Sequence, residues 1–183
     1  MRAKSISKRW QPVVIALLGV SLIWPDDGVA ASNLTLKGAL VAAACKIKAG
    51  DEALAIDLGV VTNAELYLYT RTVGKTFQIH LEECDTSISN SVTTTFSGTE
   101  STKLPGLLAL GGGSTAAGVA IGIETPGDNL LPLNVVSDRQ LLSNGANVIA
   151  FKAFIKAEPQ AIANRSITAG NFTATSIFML SYP

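Results

Sequence analysis

One histidine, two cysteines and two tryptophans are a meagre supply of chemically versatile side chains for 183 residues. The histidine, His80, has no serine set beside it by any motif, so a set of nucleophile, base and orienting group is not expected. Two cysteines and a single distant histidine lack the spacing of a closed zinc site, and neither a metal nor a cofactor is expected. Glu82 and Glu83 project to opposite faces of a strand and do not form an acid pair. Gly111-Gly112-Gly113-Ser114 is not followed by Lys-Ser/Thr and opens no helical pattern, so it reads as a flexible loop rather than a phosphate cradle. Charged residues make up only 15% of the chain and the basic ones are scattered, which excludes the electrostatic field that holds nucleic acid or an anionic membrane. No catalytic residue is expected, and an enzyme is not the expected class.

The first 31 residues read as a secretory signal. Arg2, Lys4, Lys8 and Arg9 form a basic start, Val13 to Trp24 an apolar run, and Val29-Ala30-Ala31 a small-residue cleavage site. The apolar run is too short for a membrane anchor, and no later segment is long and apolar enough to span a bilayer as a helix. Both tryptophans, Trp10 and Trp24, fall in this segment, so the mature chain has none to stack on a sugar. The mature chain, expected to begin near Ser32, has about 152 residues, enough for one domain with its own core. It keeps ten of the fourteen basic and twelve of the fourteen acidic residues and is close to neutral. Both cysteines lie in the exported part, where an oxidising compartment favours a Cys45–Cys84 disulfide. Closing a loop of about forty residues stabilises a fold by roughly 4 kcal/mol in the chain-entropy view.

The mature chain is a succession of short alternating runs. Leu34, Leu36, Gly38 and Leu40 alternate with Thr35, Lys37 and Ala39. Strands are expected at Ile56 to Val61, Phe77 to Leu81, Val92 to Phe96, Ala117 to Glu124 and Val148 to Lys156, with short helical turns near Glu65 or Asp138 to Leu142. Turn residues punctuate the runs, which argues for an antiparallel sandwich with Greek-key connections. In the last run, Phe172, Ala174, Ser176, Phe178, Leu180 and Tyr182 share one side of an extended chain and Thr173, Thr175, Ile177, Met179 and Ser181 the other. A strand with apolar residues on both faces at the end of an exported chain needs its edge covered, because unpaired N–H and C=O groups there invite another strand.

Taken in order, these features resemble the pilin subunits of bacterial chaperone–usher fimbriae, the type 1 and P pilus family. Leu34-Thr-Leu-Lys-Gly-Ala-Leu-Val-Ala-Ala-Ala-Cys45 is similar to the family's N-terminal extension and first cysteine, and Phe77-Gln-Ile-His-Leu-Glu-Glu-Cys84 to the strand bearing the second. Ala117-Gly-Val-Ala-Ile-Gly-Ile-Glu124, Gly170 and the penultimate Tyr182 match the family's second half and C-terminal signature. The resemblance implies an all-β, incomplete immunoglobulin-like sandwich that lacks its last strand and is completed by a donated one. It divides the chain into a signal (1–31), a donor-strand extension (32–44) and a pilin domain (45–183). Leu34, Leu36, Gly38 and Leu40 would enter a neighbouring subunit's groove. Gly170, Phe172, Ala174, Phe178, Leu180, Tyr182 and Pro183 would form this chain's acceptor groove and its recognition by a periplasmic chaperone, Pro183 offering a carboxylate but no N–H. An outer-membrane usher would then exchange the chaperone for the next pilin subunit, carrying the chain through the periplasm to a surface fimbrium that mediates adhesion.

The rival expectation is a self-contained secreted β-sandwich binding module that keeps Ser32 to Ala44 as an internal strand. A subunit that donates its extension and a module that needs it internally differ in what deletion of Ser32 to Leu40 does to the fold.

Overall fold

The structure, a computed structural model, describes residues 43–183. The expected signal and the expected donor-strand residues Leu34, Leu36, Gly38 and Leu40 lie outside them. The described chain runs β1 (Lys46–Ile47), a 3-10 turn (Asp51–Ala53), α1 (Asn63–Tyr69), β2 (Lys75–Cys84), β3 (Ser91–Gly98), β4 (Val119–Glu124), β5 (Gln140–Leu141), β6 (Gly145–Ala157), α2 (Pro159–Ala163) and β7 (Ser176–Ser181). These strands form a four-stranded sheet ordered β1-β2-β6-β4 and a three-stranded sheet ordered β5-β3-β7, with every ladder antiparallel.

Alternation explains the layering. On β2, Ile79 and Leu81 face inward and are fully buried while His80 and Glu82 face out. β3 turns Val92, Thr94 and Phe96 inward in the same way, and β6 contributes Ile149 and Phe151. The sheets meet at an aromatic cluster in which Phe96 of β3 stands edge-on to Phe151 of β6 at 4.9 Å and to Phe77 of β2 at 6.1 Å between ring centroids. A Cys45–Cys84 disulfide closes one end of this core, and beside it Asp85 N–H donates to Ala44 O at 2.8 Å.

The outer face of the first sheet carries a charged cluster. Glu124 of β4 has a fully buried side chain, and Arg71 Nη2 donates to its Oε1 at 2.8 Å. The guanidinium carbon of Arg71 lies 3.6 Å from the centroid of the Phe154 ring, so the cation rests on an aromatic face. Gly122 pairs across the ladder with Phe154, whose ring fills the place a side chain would take: a Cβ at Gly122 would lie 2.2 Å from it.

The sequence-based strands at Phe77, Val92, Ala117 and Val148 all form, each within a residue or a few of the expected bounds. The run Ile56 to Val61 does not. It alternates half-buried and exposed residues over much of its length, but its backbone has no ladder partner among the described residues. The turn near Glu65 is a real helix, because Thr62 Oγ1 accepts the Glu65 N–H at 3.2 Å as an N-cap and Thr70 ends the helix with φ of 64°. Helical geometry separates Tyr67 from Tyr69, and the Tyr67 hydroxyl accepts the Ile167 N–H at 3.1 Å. Asp138 to Leu142 holds β5 instead of a helical turn.

Candidate functional site

Residues 171–183 alternate without exception between exposed odd positions and half-buried even ones. Ile177 and Met179 point outward and are 70% and 60% exposed. Phe172, Ala174, Phe178, Leu180 and Tyr182 point inward and rest on the main core cluster, yet none is fully buried. Inward residues elsewhere in the sandwich, such as Ile79 and Phe151, have no exposed surface. The contrast identifies an inward apolar stripe with one flank uncovered. Burial pushes the Tyr182 hydroxyl above its ordinary pKa, in keeping with a ring turned toward the core.

The backbone is uncovered along the same line. β7 is an edge strand, paired with β3 from Thr93↔Ser181 to Gly98↔Ser176 and with nothing on its other side among the described residues. In the preceding stretch, Asn171 and Thr173 direct their backbone groups to residues 111–116, so strand parity turns those of Phe172 and Ala174 the opposite way. Phe172, Ala174 and Tyr182 make no backbone–backbone hydrogen bond among the described residues.

A second stripe borders the same core. Leu54 and Leu58 are half-buried against the cluster that supports Phe172 and Phe178, and Leu58 also touches the smaller cluster around Leu66 and Ile155 that Phe172 reaches. The backbone of residues 54–61 likewise has no backbone partner among the described residues. Residues 54–58, ahead of the left-handed Gly59, and residues 172–182 thus carry half-covered apolar side chains on one core, and both include backbone without a backbone partner among the described residues. Such features make this face the candidate for strand addition.

The head of the second stripe is fixed by His80. Asp51 Oδ2 accepts the His80 backbone N–H at 2.6 Å and lies 2.8 Å from His80 Nδ1, tying the 3-10 turn to β2. These contacts, led by the backbone hydrogen bond, hold the Asp51 carboxyl below its ordinary 3.8. Asp85 and Asp128 are lowered too, by hydrogen bonds to Ser87 and Lys152 respectively. A carboxyl lowered in the folded state contributes stability above its unfolded pKa and loses it as pH falls through the lower folded value. Thermal unfolding temperature is expected to be level above pH 5 and to drop progressively below pH 4, with a smaller drop in Asp51→Asn; an equal drop in that variant would refute the Asp51 contribution.

At the other end, Gly170 packs on the turn before β4. A Cβ there would lie 2.4 Å from Thr115 Oγ1 and 2.7 Å from Ala116 N, so the position admits only glycine without displacing backbone. Ser89 Oγ donates to Pro183 O at 2.9 Å. The sequence-based set thus divides. Phe172, Ala174, Phe178, Leu180 and Tyr182 share the stripe, Gly170 sits at its start against residues 115–116, and Pro183 lies beyond it beside Ser89. Sequence reasoning did not single out Leu54 and Leu58, which rest on the same core cluster as the C-terminal stripe.

The sequence profile of the family described as Fimbrial protein matches residues 34–183. Fimbria A protein of Serratia marcescens is 30% identical over 168 residues, spanning 92% of this chain and 94% of that protein. The putative minor fimbrial subunit PmfF of Proteus mirabilis is 31% identical over 170 residues, spanning 92% and 93%. Among solved structures, the P pilus rod subunit PapA superposes with a TM-score of 0.66 at 23% identity, covering 77% of this chain and all of that one. That likeness places the described sandwich in the same fold.

Proposed function

This chain belongs to the fimbrial protein family, and on that premise we propose that it polymerises by exchanging strands at the uncovered stripe. It is a structural pilus subunit with an immunoglobulin-like fold, its partners are other pilus subunits, and its place is a surface fimbrium. Residues 1–31 are removed on export, residues 32–44 are the donated strand, and residues 45–183 are the domain that accepts one. Leu34, Leu36, Gly38 and Leu40 of one subunit enter between residues 54–61 and the stripe of Phe172, Ala174, Phe178, Leu180 and Tyr182 in the next.

The observation that carries this reading is the half-buried inward face of residues 172–182 combined with its unpaired backbone edge. Main-chain pairing supplies affinity in such a site and the alternating side chains fix register. Burying the three leucines contributes on the order of 5–9 kcal/mol before ordering costs. A free subunit would leave that surface in water, so a periplasmic chaperone lends a strand first, taking hold near Tyr182 and the Pro183 carboxylate. An outer-membrane usher is the place where the neighbour's extension replaces it.

Strand parity supplies the test. Leu36→Asp and Phe178→Asp each place a charge inside the completed sandwich, at a cost of several kcal/mol. Incorporation into isolated fimbriae should fall more than tenfold for both, while Ile177→Asp, one residue along on the exposed face, should incorporate normally. Normal incorporation of Leu36→Asp, a residue that on this reading belongs to the donated strand and not to its own domain, would overturn strand donation.

A further inference from the structure

The two halves of the C-terminal border are held differently. Residues 176–181 are fixed by the β3 ladder, whereas residues 171–173 lie outside any strand and are held by a turn rich in glycine and hydroxyls. Thr115 Oγ1 accepts the Asn171 N–H at 2.9 Å and donates to Asn171 O at 3.3 Å. Ser114 Oγ does the same two residues on, accepting the Thr173 N–H at 3.1 Å and donating to Thr173 O at 3.3 Å. Each hydroxyl engages both backbone groups of one residue, the role a paired residue plays in an antiparallel ladder. Backbone N–H groups of Gly111 and Thr115 add bonds to the same two carbonyls, at 2.7 and 2.8 Å.

We infer that Ser114 and Thr115 are positioning residues for strand capture. Their hydroxyls keep residues 171–173 extended, with the backbone of Phe172 and Ala174 turned to the uncovered side. The incoming strand pairs with those groups, so it meets an edge that is already ordered and does not bear the cost of ordering it. The close approach at Gly170 serves the same end, since it lets Thr115 come near enough to reach Asn171. The inference rests on the strand-acceptor reading and adds how one end of that acceptor is built.

The test uses fimbriae assembled from the full-length chain. Thr115→Val keeps the shape and removes the hydroxyl; Thr115→Ser keeps the hydroxyl. Amide exchange at Asn171 and Thr173, together with the rate of subunit release in denaturant, separates positioning from bulk stability. Thr115→Val should speed exchange at Asn171 roughly fivefold, the loss expected for one net hydrogen bond, and speed release severalfold. A Ser114→Ala/Thr115→Val double variant should extend both effects to Thr173 and release more than tenfold faster, and Thr115→Ser should restore the parental values. Faster exchange with unchanged release would overturn the positioning role while leaving strand acceptance standing. Equal behaviour of Thr115→Val and Thr115→Ser would overturn it as well. Failure of strand acceptance itself is read separately, from normal incorporation of Phe178→Asp.

Discussion

Replacing both cysteines, as Cys45→Ser/Cys84→Ser, is expected to lower the stability of the subunit by about 4 kcal/mol, the closure entropy of its 39-residue separation in the chain-entropy view. A domain of this size is stable by roughly 5–15 kcal/mol, and one with an uncovered stripe stands at the lower end, so the loss takes away much of the margin. The unfolding temperature should fall by about 10 °C and the exported yield should fall with it. The location of the bridge adds a local effect. Cys45 is pinned to the end of β2, and the adjoining Ala44 carbonyl receives the Asp85 N–H, so the bridge fixes the start of the described chain to the end of β2. A double variant with an unchanged unfolding temperature would show that the bridge contributes nothing beyond the contacts around it.

The second large effect is expected at Arg71. Arg71→Ala leaves the fully buried Glu124 carboxylate without its cation, and removing one partner of a buried pair costs about 3 kcal/mol, the low end of the range because a third of Arg71 is exposed. The unfolding temperature should drop by roughly 6–12 °C. Arg71→Lys should recover little, since an ammonium cannot both lie flat on Phe154 and donate sideways to Glu124 as the guanidinium does. Neutralising both positions, as Arg71→Met/Glu124→Gln, should recover most of the loss, because the cost is that of a stranded charge rather than of a missing attraction. A double variant as unstable as Arg71→Ala would show that the arginine acts through packing on Phe154 alone.

Alternation makes β2 and much of β6 legible in the amino-acid sequence, because each buries one face over most of its length and the side-chain period records that directly, whereas β3 and β4, buried largely on both faces, are legible from their β-branched, apolar and small residues. It overreaches at Ile56 to Val61. Period two reports which side chains face a core, and residues 54–61 do face one, but a ladder also needs a partner backbone. The same distinction shortens the C-terminal strand: the alternation runs from Phe172 to Tyr182, yet pairing with β3 covers only Ser176 to Ser181. The inward stripe can be read residue by residue from parity. Ser114 and Thr115 cannot, since Gly111 to Ser114 has the composition of a flexible linker and nothing local indicates that its hydroxyls meet a segment more than fifty residues away. Helix α2 leaves little trace because its five residues are too few to establish a period, and only Pro159 at its start marks it.

The filled space beside Gly122 links four positions into one unit of sequence change. A side chain at Gly122 needs the Phe154 ring to withdraw, and withdrawing the ring takes away the surface on which Arg71 lies and so the orientation in which it meets Glu124. Substitutions there are not independent, and their effects will not add. A lineage can pass from one workable set at these four sites to another only by changing several together, or by crossing an intermediate that folds poorly. Single substitutions on the exposed face of β7 meet no such barrier.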